Sequence, residues 1–576
     1  MATAPTARGT PAWFFVLAGG LLLAHWLICL HMAATATVTH DEIWHLPVGV
    51  RNLREGRFDV ERLNPPLTRM WAAIPLVIAG VEVNRDATGP GVGRQFVEDH
   101  PQDFARWFFW GRCFQSLWSV ATGVLLCCWA RQWFGDRAAL VTLLLYVTCP
   151  NIVAQASIVT PDSGLTFAFI ATLWAMFRWC EKLRWQDAAV LALCLGLAQG
   201  MKFTAILLAP LVIAIAVVQL GCKWLRREVN RRRVLGQFLA VVLGSFLVLW
   251  SSYAFHGIGI PLQQYKFRST SFETIRQLLS FIPVLPVPLP ADYLLGLDEQ
   301  QSVMESPHPA FLDGQWSLTG FRTYYVKGLL YKVPLVLWVL LALGLSVSLR
   351  NRSEPRRRRE TWLVLLPVAV LIVVASLQSM QLGVRYILPV LPLLMLLSGR
   401  GVGCLPRATV RSQRMTLAAI AIVCGLSLRF HPHHLAYFNE LAGGPIGGRY
   451  HLLDSNLDWG QDLGLVKKYM DQHQLDSISL AYFGTLPPQL LGIKFELPPS
   501  WQPQPGRYAV SVNYVMGRPH VVTQGDGTSR GTDFQEFGYF RFFKPETTLG
   551  GSIDIYEITP EQIAELREAA GKAGSR

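Results

Sequence analysis

Long apolar runs separated by short, mostly basic connections set the pattern of this chain. A membrane-crossing helix needs roughly 20 mostly apolar residues, and that ruler predicts about eleven spans. They fall near 12–33, 112–130, 137–156, 163–180, 187–200, 203–220, 235–256, 330–349, 361–377, 385–399 and 415–430. Three longer polar stretches interrupt the series, at 34–111, 257–329 and 431–576. The middle one carries Ile282-Pro-Val-Leu-Pro-Val-Pro-Leu-Pro290, which predicts a loop along the membrane instead of another helix. In the last, period-two runs at 476–483, 507–515 and 551–557 predict strands, and 461–473 and 560–570 predict helices. The expected fold is a polytopic α-helical membrane module over 1–430, followed by a small external α/β domain over 431–576. The glycine runs at 89–93 and 443–448 read as loops.

Composition sharpens this picture. Of 576 residues, 51% are hydrophobic and 16% charged, with mean hydropathy +0.30. Soluble domains carry roughly 25% charged residues, which argues against a water-soluble enzyme, and a disordered chain is excluded. The net charge of +13 sits in short loops. With the N-terminus placed in the cytoplasm, one side collects Arg131 and Arg137, Lys182 and Arg184, Lys223 to Arg233, Arg350 to Arg359, and Arg400 to Arg414. This is the positive-inside pattern, so the basic runs mark topology, not a nucleic-acid partner. The three long segments then lie outside the inner membrane. The first run is too long for a signal peptide and is followed by no clean cleavage site. The ten cysteines contain no C-x-x-C pair, which gives no sign of a disulfide framework or structural zinc.

Ionisable residues at membrane depth are costly, so their positions are informative. Asp41, Glu42 and His45 follow the first span, and Arg112 opens the second. Asp162 opens the fourth, Lys202 lies between the fifth and sixth, and Arg385 opens the tenth. All fall at external helix ends, which predicts a shared polar cavity at the outer interface. Carboxylates there can deprotonate a hydroxyl while Arg and Lys hold an anionic leaving group such as phosphate.

An ordered set of motifs over roughly residues 10–430 resembles the protein O-mannosyltransferase-like and aminoarabinose-transferase-like families of type C glycosyltransferases. The motifs are Thr39-His-Asp-Glu-Ile-Trp-His45 with Gly49, Gly56 and Leu63-Asn-Pro-Pro-Leu67; Arg112; Ala156-Ser-Ile-Val-Thr-Pro-Asp162; Gly200-Met-Lys-Phe-Thr204; and Arg385-Tyr-Ile-Leu-Pro-Val-Leu-Pro392. Asn64 stands where family members often carry Lys, and Pro161 splits the Thr-Asp pair. The resemblance implies a type C glycosyltransferase fold. It also implies transfer of a sugar from a polyprenyl-phosphate carrier to a protein, lipid or glycan hydroxyl, with inversion. It makes Asp41 the acceptor-activating base, with Glu42 the second catalytic carboxylate that orients the acceptor or shares its site, and Arg385, Lys202 and Arg112 the holders of the carrier phosphate. Asp162, His45, Asn64, Tyr386, Trp459 and Asp458 would support them or face the acceptor.

No cofactor is required by this chemistry. His40-Asp-Glu-Ile-Trp-His45 crowds imidazoles and carboxylates enough for a divalent metal, but its spacing splits the histidines between helix faces. Leu453-Asp-Ser-Asn-Leu-Asp-Trp-Gly-Gln-Asp-Leu463 imitates a calcium loop but has Trp459 in place of the required Gly. It reads either as a sugar contact or as a turn and helix cap. A transporter or flippase is the rival class, but transporters place their charges near mid-helix. An oligosaccharide ligase or polymerase using the same carriers would share most of this cavity.

Overall fold

The computed structural model describes residues 11–89, 91–350, 355–403, 418–422 and 424–574. The basic connection carrying Arg407, Arg411 and Arg414, the residue Arg352 and the start of the last expected span lie outside the described residues. Helices dominate the first 400 residues. They are α1 (Ala12–Thr35), α2 (Glu42–Glu55), α3 (Leu67–Ile78), α4 (Gly91–Asp99), α5 (Phe104–Phe134), α6 (Asp136–Val147), α7 (Pro150–Ala156), α8 (Pro161–Lys182) and α9 (Trp185–Met201). There follow α10 (Leu208–Leu225), α11 (Arg231–Ser252), α12 (Thr270–Leu278), α13 (Ala291–Glu305), α14 (Tyr324–Lys332), α15 (Leu335–Arg350), α16 (Pro355–Ser376) and α17 (Val390–Gly403).

Among the described residues, five helical stretches are long and apolar enough to cross a membrane: α1, α5, Phe203–Gly221, α11 and Arg359–Ser376. Two bent pairs bring the number to seven. One is α6 with α7, bent by 62° ahead of Pro150, and the other is α14 with α15, bent by 111° ahead of Pro334. Proline lacks the N–H that continues a helix, which accounts for both breaks. The remaining expected spans are helices of lesser apolar length. In α8, Asp162 at one end and Arg178, Glu181 and Lys182 at the other shorten the apolar centre. Val16, Val217, Leu243, Val339 and Ile422 are more than half exposed, the belt that hydrocarbon requires of an integral membrane protein.

The stretch expected to be an external loop, 34–111, is largely helical. α3 packs on α2 so closely that a Cβ at Gly49 would collide with the Arg69 carbonyl. The glycine run at 89–93 opens α4, where the sequence reads only as a loop. Its apolar Val92, Phe96 and Val97 are buried against the α2 region, and that tertiary burial secures a helix with a weak start.

A hairpin of β1 (Ala310–Leu312) and β2 (Gln315–Ser317) precedes α14. The C-terminal region carries β3 (Ile478–Ala481), β4 (Phe495–Glu496), β5 (Gly506–Ser511), β6 (Val521–Thr523), β7 (Ser529–Gly531), β8 (Thr547–Leu549) and β9 (Ile553–Ile558). Five of these form one mixed sheet in the order β4-β3-β5-β9-β8, with β3 parallel to both neighbours and β9 antiparallel to both of its own. β3 falls within its predicted run, β5 and β9 overlap theirs with one residue outside each, and helices Leu463–Gln472 and Pro560–Gly574 lie where the period of 3.6 places them. The chain leaving α1 is strapped to this region. Thr37 and His40 donate their N–H groups to the Gln461 and Trp459 carbonyls at 2.8 and 2.9 Å, and the Thr485 hydroxyl donates to the His40 carbonyl at 3.1 Å.

Candidate active site

Asp41 is the N-cap of α2 and Glu42 its first residue, so adjacent carboxylates point into different surroundings. Glu42 is fully buried. One oxygen accepts from Arg112 Nε and from the Val159 N–H; the other accepts from Arg112 Nη2, the Thr39 N–H and the Thr39 hydroxyl. Burial works to raise this carboxyl, and Arg112 with these donors outweighs it and holds it low. Arg112 spends its other donors on the Ala33, Ala36 and Thr37 carbonyls. Its five N–H groups are therefore all engaged. This corrects the expectation for both residues. Arg112 has no donor left for a carrier phosphate, and Glu42 has no lone pair turned toward an acceptor. Together they clasp the end of α1 to α5 and to the turn before α8.

Asp41 meets a different set of partners. Arg385 Nη1 donates to Asp41 Oδ2 at 3.0 Å and lies 3.8 Å from Asp162 Oδ2. Asp162 Oδ1 accepts from Lys202 Nζ at 2.5 Å. Residues from the first loop, the start of α8, the end of α9 and the turn before α17 thus converge, although they lie up to 344 positions apart. The cluster is incompletely satisfied, since Arg385 Nε and Asp162 Oδ2 are buried without a hydrogen-bond partner. Burial pushes the Asp41 carboxyl up, but the Arg385 charge holds it below the usual carboxylate range.

Aromatic rings brace the two cations. Lys202 Nζ stands 4.6 Å from the Tyr386 ring centre, and the Arg385 guanidinium lies 4.0 Å above Trp459. Trp459 is 2% exposed, so its ring supports Arg385 and offers no open face to a sugar. Asp458 is completely buried, accepting from the Gly460 N–H and paired with the Ser511 hydroxyl; burial lifts its carboxyl to about 8. It anchors a turn and does not reach the cluster. The turn reading of 453–463 holds, whereas Asp462 at the helix start makes no side-chain cap. His45, pushed down to about 4 by burial, shares with Asn64 a crevice of about 10 Å³ beside Thr68 and Thr160, with no room for a sugar. Among the described residues, no group of three or more His, Cys, Asp or Glu side chains is arranged to hold a metal ion.

Lys202 and Tyr386 also border an apolar cavity of about 280 Å³, walled by Phe203, Ile206, Leu297, Leu371 and Val374 among others. A charged mouth on a greasy slot suits an amphiphile with an anionic head. The sequence reading missed one contributor. Lys332, buried at the end of α14, donates to the Leu435 and Asn456 carbonyls at 2.8 and 2.6 Å. Asn456 in turn accepts from the Val384 N–H beside Arg385 at 3.1 Å. Lys332 lies in an apolar run, so the costliness of charge at membrane depth could have flagged it.

Residues 107–250 match the model of the family described as dolichyl-phosphate-mannose-protein mannosyltransferase. Over that stretch the chain is similar to that family. The stretch contains Asp162 and Lys202, while Asp41 and Arg385 lie outside it. No curated protein matches the sequence. Among solved structures, ArnT from Cupriavidus metallidurans bound to undecaprenyl phosphate is 15% identical with a TM-score of 0.46, covering 81% of this chain and 73% of its own. AglB, an oligosaccharyltransferase from Archaeoglobus fulgidus, is 11% identical with a TM-score of 0.46, covering 91% and 74%. The Pmt1-Pmt2 protein O-mannosyltransferase complex of S. cerevisiae is 15% identical with a TM-score of 0.34, covering 43% and 33%. At such scores none of these likenesses carries an argument about individual residues.

Proposed function

We propose that this protein transfers a sugar from a polyprenyl-phosphate carrier to a hydroxyl acceptor on the extracytoplasmic side of the membrane, with inversion. One observation carries the reading. Arg385, with a buried and unpartnered Nε, bridges Asp41 and Asp162 where Lys202 and Tyr386 border an apolar cavity. The lipid tail occupies that cavity, and the phosphate meets Arg385 and Lys202. Asp41 takes the proton of the acceptor hydroxyl, whose oxygen bonds to the anomeric carbon from the face opposite the phosphate. The carbon–oxygen bond to the phosphate breaks, and the phosphate leaves with the electron pair, stabilised by the two cations. An incoming phosphate also competes with Asp41 for Arg385. Carrier binding then loosens the ion pair that holds the carboxylate quiet, so the base becomes available when the donor is in place.

Undecaprenyl phosphate binding by native mass spectrometry tests this reading. Wild-type protein should retain the lipid, and Arg385→Ala and Lys202→Ala should retain far less while keeping their thermal transitions. Equal binding by all three would remove the phosphate from this site. Mass spectrometry of lipids and glycans from cells with and without the chain should then reveal the product.

A further inference from the structure

Beyond the carrier side, a second group of side chains lies next to Asp41. His40 precedes it, and the His520 ring centre is 5.1 Å from that of His40. Phe483 packs against both, at 4.6 Å from His520 and 6.2 Å from His40, and the Arg518 guanidinium lies 5.6 Å from the Phe483 ring. Trp44 meets His40 edge-on at 5.4 Å. Three buried polar atoms in this group have no hydrogen-bond partner: His40 Nδ1, His520 Nε2 and Arg518 Nε. Buried polar groups are nearly always paired, so three orphans on neighbouring side chains mark a place where something polar belongs.

We propose that His40, His520 and Arg518 form the acceptor subsite, and that the acceptor they take is a saccharide. The assignment rests on the transfer reading above and deepens it. The chemistry of the three groups selects the class. Burial, opposed by Asp41 and reinforced by the Arg518 charge, depresses both His40 and His520, so both imidazoles stay neutral near pH 7. A neutral imidazole nitrogen either donates or accepts, which matches a hydroxyl. Arg518 is already paired with Asp454 at 2.5 Å and donates to the Pro309 carbonyl at 3.2 Å. With that charge cancelled, the subsite has no surplus cation for an acidic headgroup. Three separated orphans call for a ligand with several hydroxyls, whereas a serine or threonine side chain brings one. The half-buried Trp44 ring supplies the apolar edge that sugar C–H groups pack against.

The test uses the full chain in nanodiscs, with saturation-transfer NMR on methyl α-mannoside, methyl β-glucoside and methyl β-galactoside, and on N-acetylserinamide. At least one glycoside should receive saturation. His40→Phe and His520→Phe, which keep a ring and remove the orphan nitrogen, should each weaken it by roughly fivefold or more. Both should still bind undecaprenyl phosphate as wild type does. The two substitutions lie in distant segments, so a fall in thermal transition for one leaves the other as the test. Glycoside binding that is absent, or unchanged in both variants, would overturn the proposal. So would binding of the serine amide alone, which would point to a peptide acceptor. Failure of wild-type protein to bind undecaprenyl phosphate while glycosides still bind would overturn the carrier and leave the saccharide subsite standing.

Discussion

Asp41 and Glu42 are neighbours in the chain, carry the same charge, and each meets an arginine from a distant segment. Their environments nevertheless differ in what remains unsatisfied. The Glu42–Arg112 pair uses every donor and is sealed from water, whereas Arg385 beside Asp41 keeps a buried donor idle, and its neighbour Tyr386 borders a cavity. A saturated ion pair holds a fold; an unsaturated one is poised to exchange partners. Buried pairs gain little net stability over apolar packing, but removing one partner strands the other charge. A carboxylate paired with an arginine therefore serves architecture at one position and, on the function proposed above, chemistry at the next.

Substitutions can break that contrast at its strongest point first. Asp41→Asn should lower sugar transfer by about 10²–10⁴-fold at normal expression, because a general base is lost while the isosteric amide keeps the geometry. Near-normal turnover in a transfer assay would refute the assignment of the base. Arg112→Ala should instead cost about 3–5 kcal/mol of stability, by stranding Glu42. It should be seen as loss of folded protein in a detergent-resistance assay, and a well-folded variant with weak carrier binding would reverse the roles of Arg112 and Arg385. Arg385→Gln and Lys202→Ala should each slow transfer by roughly 10- to 100-fold through a lost charge-assisted contact. Arg385→Gln carries a further signature. Wild-type Asp41 stays ionised well into acid, and activity falls only as pH drops through its depressed value. Without the arginine, burial acts unopposed, and the acid limb of residual activity should move to higher pH. An unmoved limb would detach Asp41 from that titration.

A smaller effect is expected at Asp458, which keeps its proton up to about pH 8 when folded and releases it near 4 when unfolded. The folded state then binds more protons between those limits, so stability falls as pH rises through them and levels off above 8. Asp458→Asn should flatten the decline between pH 6 and 9 in thermal-shift measurements, and an unchanged slope would show that the carboxyl is ionised when folded.

The sequence discloses the apolar spans and the convergence of Asp41, Asp162, Lys202 and Arg385, because burying charge is expensive wherever it occurs. It cannot separate Asp41 from Glu42. One step along the chain, from cap to first helical turn, decides which carboxylate meets Arg112, and that depends on how α2 docks. Nor does it reveal that Trp459 lies under Arg385, that Arg518 pairs with Asp454, or that His520 approaches His40. These contacts join segments whose local patterns say nothing of each other. Two of the expected spans differ in shape for a local reason, as Pro150 and Pro334 bend helices that the hydropathy ruler treats as straight.

The strap between the chain after α1 and the C-terminal region has a consequence for how the protein is made. His40 is fixed by the Trp459 carbonyl and the Thr485 hydroxyl, and the Arg385 side chain rests on Trp459. A ribosome delivers Asp41 early, Arg385 much later, and the residues that hold both in place later still. Nascent chains inserted in the membrane therefore carry all four charged residues without the support that orients them. On the function proposed above, a site competent for the carrier therefore exists only once Trp459 and Thr485 have joined the chain.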